Sequence, residues 1–157
     1  MPIRQATADD ASRIAEIIVF NNRINFFPIF GDEGFSFGEV QVIPLAKKYL
    51  ADPERLRRVW VYDDGVVKGL IDVNGAEIEK LYVEPAFQNR GIGAALLEHA
   101  VSTLGAKWLW ALEKNAGALR FYARHGFVPT GARQLEEGTP EYLIQLQYQT
   151  PQQEVNA

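Results

Sequence analysis

Apolar residues recur along this chain with two different periods, and the switches between them mark out its elements. Residues 3–6 form a short run read as a strand. Thr7 then stands where a helix N-cap is expected, with Asp9 and Asp10 in the first turn, where carboxylates meet the positive end of the helix. Ile14, Ile17, Ile18 and Asn21 follow at helical spacing and predict a helix over about 8–20. Residues 40–50 predict a second helix despite Pro44, ended by Asp52-Pro53. Residues 58–62, 66–73 and 76–83 read as strands, and the turn signals Asp63-Asp64-Gly65 and Asn74-Gly75 join them into an antiparallel meander. The helical period returns at Ile92, Leu96, Ala100 and Leu104, with Leu97 and Val101 beside them. Trp108 to Leu112 is a buried-looking strand, and Ala118, Leu119 and Tyr122 mark a helix ended by Gly126. Two final strands, over 127–135 and 142–148, are joined around Glu136-Glu137-Gly138, and a polar tail runs from Thr150. The order β-α-α-β-β-β-α-β-α-β-β predicts a mixed α/β sheet with helices on its faces.

Two places break these patterns. Residues 22–38 hold five of the nine phenylalanines, Phe26, Phe27, Phe30, Phe35 and Phe37, interrupted by Pro28, Gly31 and Gly34, and read as an irregular aromatic loop. In the third meander strand the apolar phase slips. Ile71 and Val73 are odd-numbered, Ile78 is even, and Leu81 and Val83 are odd again. One extra residue near Lys80, a β-bulge, produces such a slip.

Composition narrows the possibilities. A chain of 157 residues fits one domain, and 47% apolar with 23% charged residues is that of a folded protein rather than a disordered one. No run approaches the roughly 18 apolar residues that span a bilayer, and the N-terminal residues lack a signal-like apolar stretch. No membrane association is expected, and a cytoplasmic location is. The absence of cysteine excludes disulfides, thiolate metal sites and a cysteine nucleophile, and with only His99 and His125 no metal site is expected. A formal charge of −4 argues against a nucleic-acid partner and is compatible with a cationic substrate. His99 is expected to face solvent opposite the apolar stripe of its helix, and His125 to sit near a helix end.

The most informative stretch is Leu81-Tyr82-Val83-Glu84-Pro85-Ala86-Phe87-Gln88-Asn89-Arg90-Gly91-Ile92-Gly93-Ala94. A strand leads through a short loop into a helix opened by glycines. About four N–H groups in a first helical turn lack internal partners, and the helix dipole adds positive potential there, so such an end suits a phosphate. With no Lys-Ser/Thr after the glycines and no third glycine at dinucleotide spacing, neither a P-loop nor a Rossmann loop is matched.

Gln88-Asn89-Arg90-Gly91-Ile92-Gly93 resembles the Gln/Arg-x-x-Gly-x-Gly/Ala signature of the GNAT superfamily of acetyl-CoA-dependent N-acetyltransferases. The lead-in Leu81-Tyr82-Val83-Glu84-Pro85 and the block from Asn115 through Phe121-Tyr122 to Gly126-Phe127 are similar to that family as well, in the right order and separation. The resemblance implies a mostly antiparallel central sheet of about six to seven strands with about four helices, in a single domain over 1–149 followed by a polar tail over 150–157. It implies acetyl-CoA as co-substrate without a metal. The amides of Gln88, Asn89, Arg90, Gly91, Ile92, Gly93 and Ala94 would hold the pyrophosphate. Leu81, Tyr82 and Val83 would line the pantetheine arm, with backbone groups of Leu81 and Val83 pairing to it. An amide near Leu81 would polarise the acetyl carbonyl. Asn115 would contact pantetheine, and Tyr122 would act as general acid and line the cofactor. Of the adjacent pair, Phe121 is expected in the core and Tyr122 at the site.

Transfer needs a neutral amine, and a primary alkylamine with a pKa near 10.4 is mostly charged at pH 7, so a general base is required. Glu77 and Glu79 both lie on the strand leading to the acetyl position, and the sequence does not choose between them. The acceptor is expected to be a primary amine of a small molecule or peptide, attacking directly in a ternary complex. Phe26, Phe27, Phe30 and Phe35 are candidates for its binding wall, or equally for core or for a homodimer interface. A non-catalytic acyl-CoA-binding module is the alternative function, disfavoured by Tyr122 and the two glutamates.

Overall fold

The computed structural model describes residues 2–150; the tail predicted from Thr150 thus lies, over 151–157, outside the described residues. The chain divides into two compact units, Met1–Ala106 and Lys107–Ala157.

In the first unit, β1 (Ile3–Gln5), β2 (Val59–Asp63), β3 (Val67–Asn74) and β4 (Glu77–Val83) lie in that order and pair antiparallel throughout. The predicted meander is present, and Gly75 supplies the left-handed residue of its second turn at φ 62°. One face of these strands carries α1 (Ala11–Asn21) and α3 (Val42–Ala51). Ile14, Ile17 and Tyr49 pack there with Val59, Val61 and Leu70, all fully buried. Pro44 is tolerated in α3 because it occupies the first turn, where its missing N–H would have had no helical partner. The other face carries α5 (Ile92–Ser102). A Cβ at Gly69 would stand 3.1 Å from both Ile92 and Leu96, so the bare backbone of β3 lets this helix approach closely.

The segment read as an aromatic loop is largely helical. A π-helical turn over Asn22–Phe26 continues α1 and passes into a single turn, α2 (Phe27–Phe30). A second π-helical segment spans Gly34–Glu39. Glycine and proline end the α-period here without ending coiling, because the wider turn closes through other carbonyls, as Val40 N–H does on Phe35 C=O at 2.9 Å. Asp52-Pro53 ends one helix and begins the next, α4 (Pro53–Arg57): the Asp52 carboxylate accepts from Arg55 N–H at 3.1 Å and Pro53 occupies the first helical position. The single turns α2 and α4 raise the described α-helices from about four to six.

His99 does not face solvent. It lies seven residues after Ile92 and so shares the inward stripe. Its ring stands 4.8 Å from Trp60, and its Nε2 is buried without a hydrogen-bond partner.

In the second unit, β5 (Trp108–Leu112), β6 (Phe127–Leu135) and β7 (Tyr142–Tyr148) pair antiparallel in the order β5-β7-β6, with α6 (Ala116–Arg124) between β5 and β6 in sequence. Of the pair Phe121-Tyr122 it is Tyr122 that is buried, 9% exposed, against Phe121 and Phe127; Phe121 is half-buried and stacks on His125 at the helix end. The expected division of labour between the two rings is therefore reversed as far as burial goes, because Tyr122 lies on the side of α6 that meets β6.

Candidate active site

The loop from β4 into α5 has the form its glycines suggest. Asn89 and Gly91 both take left-handed conformations, at φ 64° and 82°, on either side of Arg90. Gly91 caps α5, whose ladder begins with Ala95 N–H donating to Gly91 C=O at 3.0 Å. The N–H groups of Ile92, Gly93 and Ala94 are thereby left without helical acceptors at the positive end of the helix, an arrangement suited to phosphate oxygens. The Arg90 guanidinium lies 5.5 Å from the centre of the Phe87 ring, and the Lys68 ammonium lies 4.8 Å from it, adding positive charge along this loop.

β4 itself is bulged. Lys80 pairs with Asp72 and Ile78 with Val73, so Glu79 is the extra residue, next to the position inferred from the phase slip. Glu84 N–H donates to Lys68 C=O at 2.8 Å, so in this antiparallel ladder the even-numbered residues after the bulge face β3. Leu81 and Val83 turn their N–H and C=O groups to the opposite edge. The Val83 carbonyl accepts from Asn21 Nδ2 at 3.2 Å and from the Gln88 side chain at 3.3 Å. Tyr82 points to the α1 face, 6.0 Å from Phe26.

The bulge separates the two candidate bases. Glu79 is exposed, accepts from Asn74 Nδ2 at 3.0 Å and lies 3.6 Å from Arg58. Glu77 is half-buried and has no ion pair or hydrogen bond among the described residues. Burial, and then the negative charges of Glu79 and Asp72, push its carboxyl above the ordinary range. Asp72 is fully buried opposite the bulge, 3.5 Å from Arg58 and 3.8 Å from Lys80, and neither carboxylate oxygen has a hydrogen-bond partner. Burial raises the pKa of Asp72 and lowers that of Lys80, the ordinary response of opposite charges to the same desolvation.

A cavity of about 290 Å³ opens among α1, the two π-helical segments, α3 and β4. Phe26 and Phe35 line it with Tyr82. Phe27 instead packs edge-on against Phe37, their centres 5.1 Å apart, and neither Phe27 nor Phe30 reaches this lining. Arg23 holds the second π-helical segment in place, donating to the carbonyls of Ser36 and Val40 at 3.2 Å each.

In the second unit, Asn115 is the N-cap of α6 rather than part of it. Its Oδ1 accepts from Ala118 N–H at 3.2 Å, which leaves its amide N–H₂ available as a donor. Burial pushes the Tyr122 hydroxyl well above the ordinary phenol range, so it holds its proton.

Asn21 was not expected at the site. It is buried, donates to Ile17 C=O at 2.8 Å as well as to Val83, and accepts from Asn25 at 3.1 Å, tying the first π-helical turn to the outward edge of β4. Its signal in the sequence is a polar residue on an otherwise apolar helical stripe.

Comparison with known proteins gives this geometry a family. The model of the acetyltransferase (GNAT) domain matches residues 55–129. A peptidyl-lysine N-acetyltransferase, YjaB of Salmonella typhimurium, is 31% identical over 61% of this chain and 67% of its own length. An uncharacterised N-acetyltransferase of Mycobacterium tuberculosis, Rv2669, is 34% identical over 58% of this chain and 64% of its own. The aligned segments thus span about two thirds of the length of these curated relatives. Among solved structures, apo YjaB from Escherichia coli superposes with a TM-score of 0.70 at 24% identity, over 93% of this chain and 95% of that one. The PaiA N-acetyltransferase of Thermoplasma acidophilum, solved with coenzyme A, gives 0.70 at 18% identity over 93% and 98%. At that identity the structures speak for the fold, and the sequence relatives carry the rest: with its bulged strand, outward-facing edge and glycine-capped helix, the chain belongs to the GNAT superfamily of N-acetyltransferases.

Proposed function

We propose that this protein transfers the acetyl group of acetyl-CoA to a primary amine of a small molecule or peptide, by direct attack in a ternary complex. The observation that carries the reading is the first turn of α5, whose amides lack helical acceptors behind a left-handed Gly91 and suit a pyrophosphate; the N–H groups of Leu81 and Val83, which point away from β3, support it as partners for an amide-bearing arm. Solved relatives such as PaiA hold coenzyme A, and the YjaB relatives are named for peptidyl-lysine acetylation, which supports a primary amine as acceptor.

In this mechanism Glu77 takes the proton of the acceptor ammonium, directly or through water. Its raised pKa makes it a stronger base than an exposed carboxylate. The amine lone pair attacks the thioester carbon and the C–N bond forms; the nitrogen, now cationic, releases its second proton to water, and the C–S bond breaks. The leaving thiolate belongs to an alkyl thiol, a stronger acid than a buried phenol. Burial holds the Tyr122 hydroxyl well above the ordinary phenol range, so full transfer from it is uphill. Tyr122 therefore works by donating a hydrogen bond to the developing thiolate, which takes its proton from solvent. Asn115 contributes its free amide N–H₂ to the pantetheine arm.

Tyr122→Phe keeps the ring and its packing but removes that donor. Thiol release is expected to fall at least about tenfold in kcat, at or below the low end of what positioned proton donors contribute, with acetyl-CoA affinity within a few-fold. Single-turnover transfer at the wild-type rate would remove Tyr122 from the mechanism. Absence of thiol release across a broad amine panel would overturn the transferase reading itself.

A further inference from the structure

The bulge of β4 could close in two ways. Ile78 opposes Val73 and Leu81 opposes Ile71, so one extra residue has to be absorbed between them, with either Lys80 or Glu79 opposite Asp72. The apolar pattern does not choose, since both residues are charged. Burial does not choose either, for the Lys80 side chain is 21% exposed and that of Glu79 28%. Charge does. Asp72 is fully buried on the face of β3 that also carries Leu70, and a cross-strand partner shares that face. Lys80 brings the opposite charge there, its Nζ 3.8 Å from Asp72 Oδ2, whereas Glu79 would set a second carboxylate against the first. Both Asp72 oxygens and Arg58 Nε are buried without hydrogen-bond partners, so charge rather than bond direction holds this group, in surroundings that screen it little. Arg58 takes the displaced carboxylate. Its guanidinium lies 3.6 Å from Glu79 and 3.5 Å from Asp72, and its carbonyl accepts from Val73 N–H at 3.1 Å beside the bulge.

We propose that Asp72 and Lys80 are positioning residues, whose opposite charges fix the extra residue of β4 at Glu79 and thereby aim the Leu81 N–H at the acetyl group. This rests on the transferase reading above and deepens it. Lys80 is among the residues whose backbone groups face β3, so its carbonyl points to β3, and the Leu81 N–H, on the far side of the same peptide, points to the opposite edge. With Glu79 opposite Asp72, Lys80 would be the unpaired residue, and the peptide carrying the Leu81 N–H would be the bulged one. A donor helps an acetyl carbonyl most when it is already in place as charge develops on the oxygen. The first turn of α5 does not depend on that peptide, so the charge pair bears on kcat and leaves cofactor affinity alone.

The test exchanges the two side chains, Glu79→Lys with Lys80→Glu, which keeps composition and net charge. NMR of the wild type should show an amide–amide contact between Asp72 and Lys80, as hydrogen-bonded antiparallel partners give. In the exchanged protein that contact is expected to move to residue 79, with the melting temperature and the calorimetric affinity for acetyl-CoA retained. Thiol release should fall about 10²-fold in kcat, the worth of one such donor. Asp72→Asn removes the preference without touching β4. Both contacts are then expected together, with kcat lowered only by the fraction of molecules that have moved, and this variant decides the matter if the exchanged protein does not fold. A contact that stays on residue 80 in the exchanged protein, or alone in Asp72→Asn, would overturn the proposal, since packing or backbone would then set the bulge. A contact that moves while kcat holds would overturn the role in positioning. Absence of thiol release from the wild type with every amine would overturn the transferase reading and that role with it, while the NMR contacts would still decide whether charge sets the bulge.

Discussion

Gly91→Val should abolish measurable acetyl-CoA binding while the protein stays folded. Gly91 sits at φ 82°, a region that β-branched residues almost never occupy. No other atom lies within 4 Å of where its Cβ would be, so the substitution meets backbone strain rather than a clash. The chain relieves that strain by moving Gly91 toward ordinary φ, which turns the amides of Ile92, Gly93 and Ala94 away from their common focus. The local cost of forcing a side chain into this region is on the order of 1–3 kcal/mol, small enough for the sheet and the α1–α3 core to survive. Calorimetric titration with acetyl-CoA, alongside a circular-dichroism melt, checks both halves. Unchanged affinity in a folded Gly91→Val protein would remove this helix start from the cofactor site.

Glu77→Gln should lower kcat by about 10²-fold or more near neutral pH, the usual worth of a positioned base. The pH profile carries the finer expectation. Burial, Glu79 and Asp72 raise the pKa of Glu77, so in the wild type the acid limb of the kcat profile falls as pH drops through that raised value and Glu77 takes up its proton. Glutamine cannot titrate, so that limb should vanish. The residual rate should instead climb with pH as the free-amine fraction of an acceptor with a pKa near 10.4 grows. Glu79→Gln should do neither, because its carboxylate is exposed and engaged by Asn74 and Arg58. A retained acid limb in Glu77→Gln would transfer the role elsewhere.

Most of what positions the site could be read from local pattern. The meander follows from its turn residues, the left-handed loop into α5 from Gly91 and its neighbours, and the bulge from a slip in apolar phase that needs no knowledge of the partner strand. The choice between Glu77 and Glu79 could not be read in that way. The two differ in that Glu79 is the unpaired residue of the bulge, which only the ladder to β3 shows. The Asn22–Gly38 region was misread because glycine and proline mark the end of α-period and are silent about wider turns. The burial of His99 and Tyr122 depends on which strand each helix covers, Trp60 in one case and Phe127 in the other. Trp60 lies far from His99 in sequence, and Phe127, though it follows Tyr122 closely, belongs to the next strand. The place of Asn21 was partly visible, since it interrupts an apolar stripe, but its partner Val83 lies 62 residues away.

The bulge also separates two properties of β4 that usually change together. Because Glu79 is the residue that opposes nothing, Lys80–Asp72 and Ile78–Val73 would become consecutive pairs if it were deleted, and every side chain would keep its present face. An insertion or deletion elsewhere in the strand flips a set of side chains between the core and the opposite side. At this one position, shortening the chain mends the ladder. On the β3 side, what is lost is the local bend and extra twist that aim the strand. A lineage could therefore discard the chemistry of this site in one three-nucleotide deletion and keep a well-paired, stable protein. Among its descendants, the length of this strand, more than the identity of residue 79, would distinguish working enzymes from folded relics.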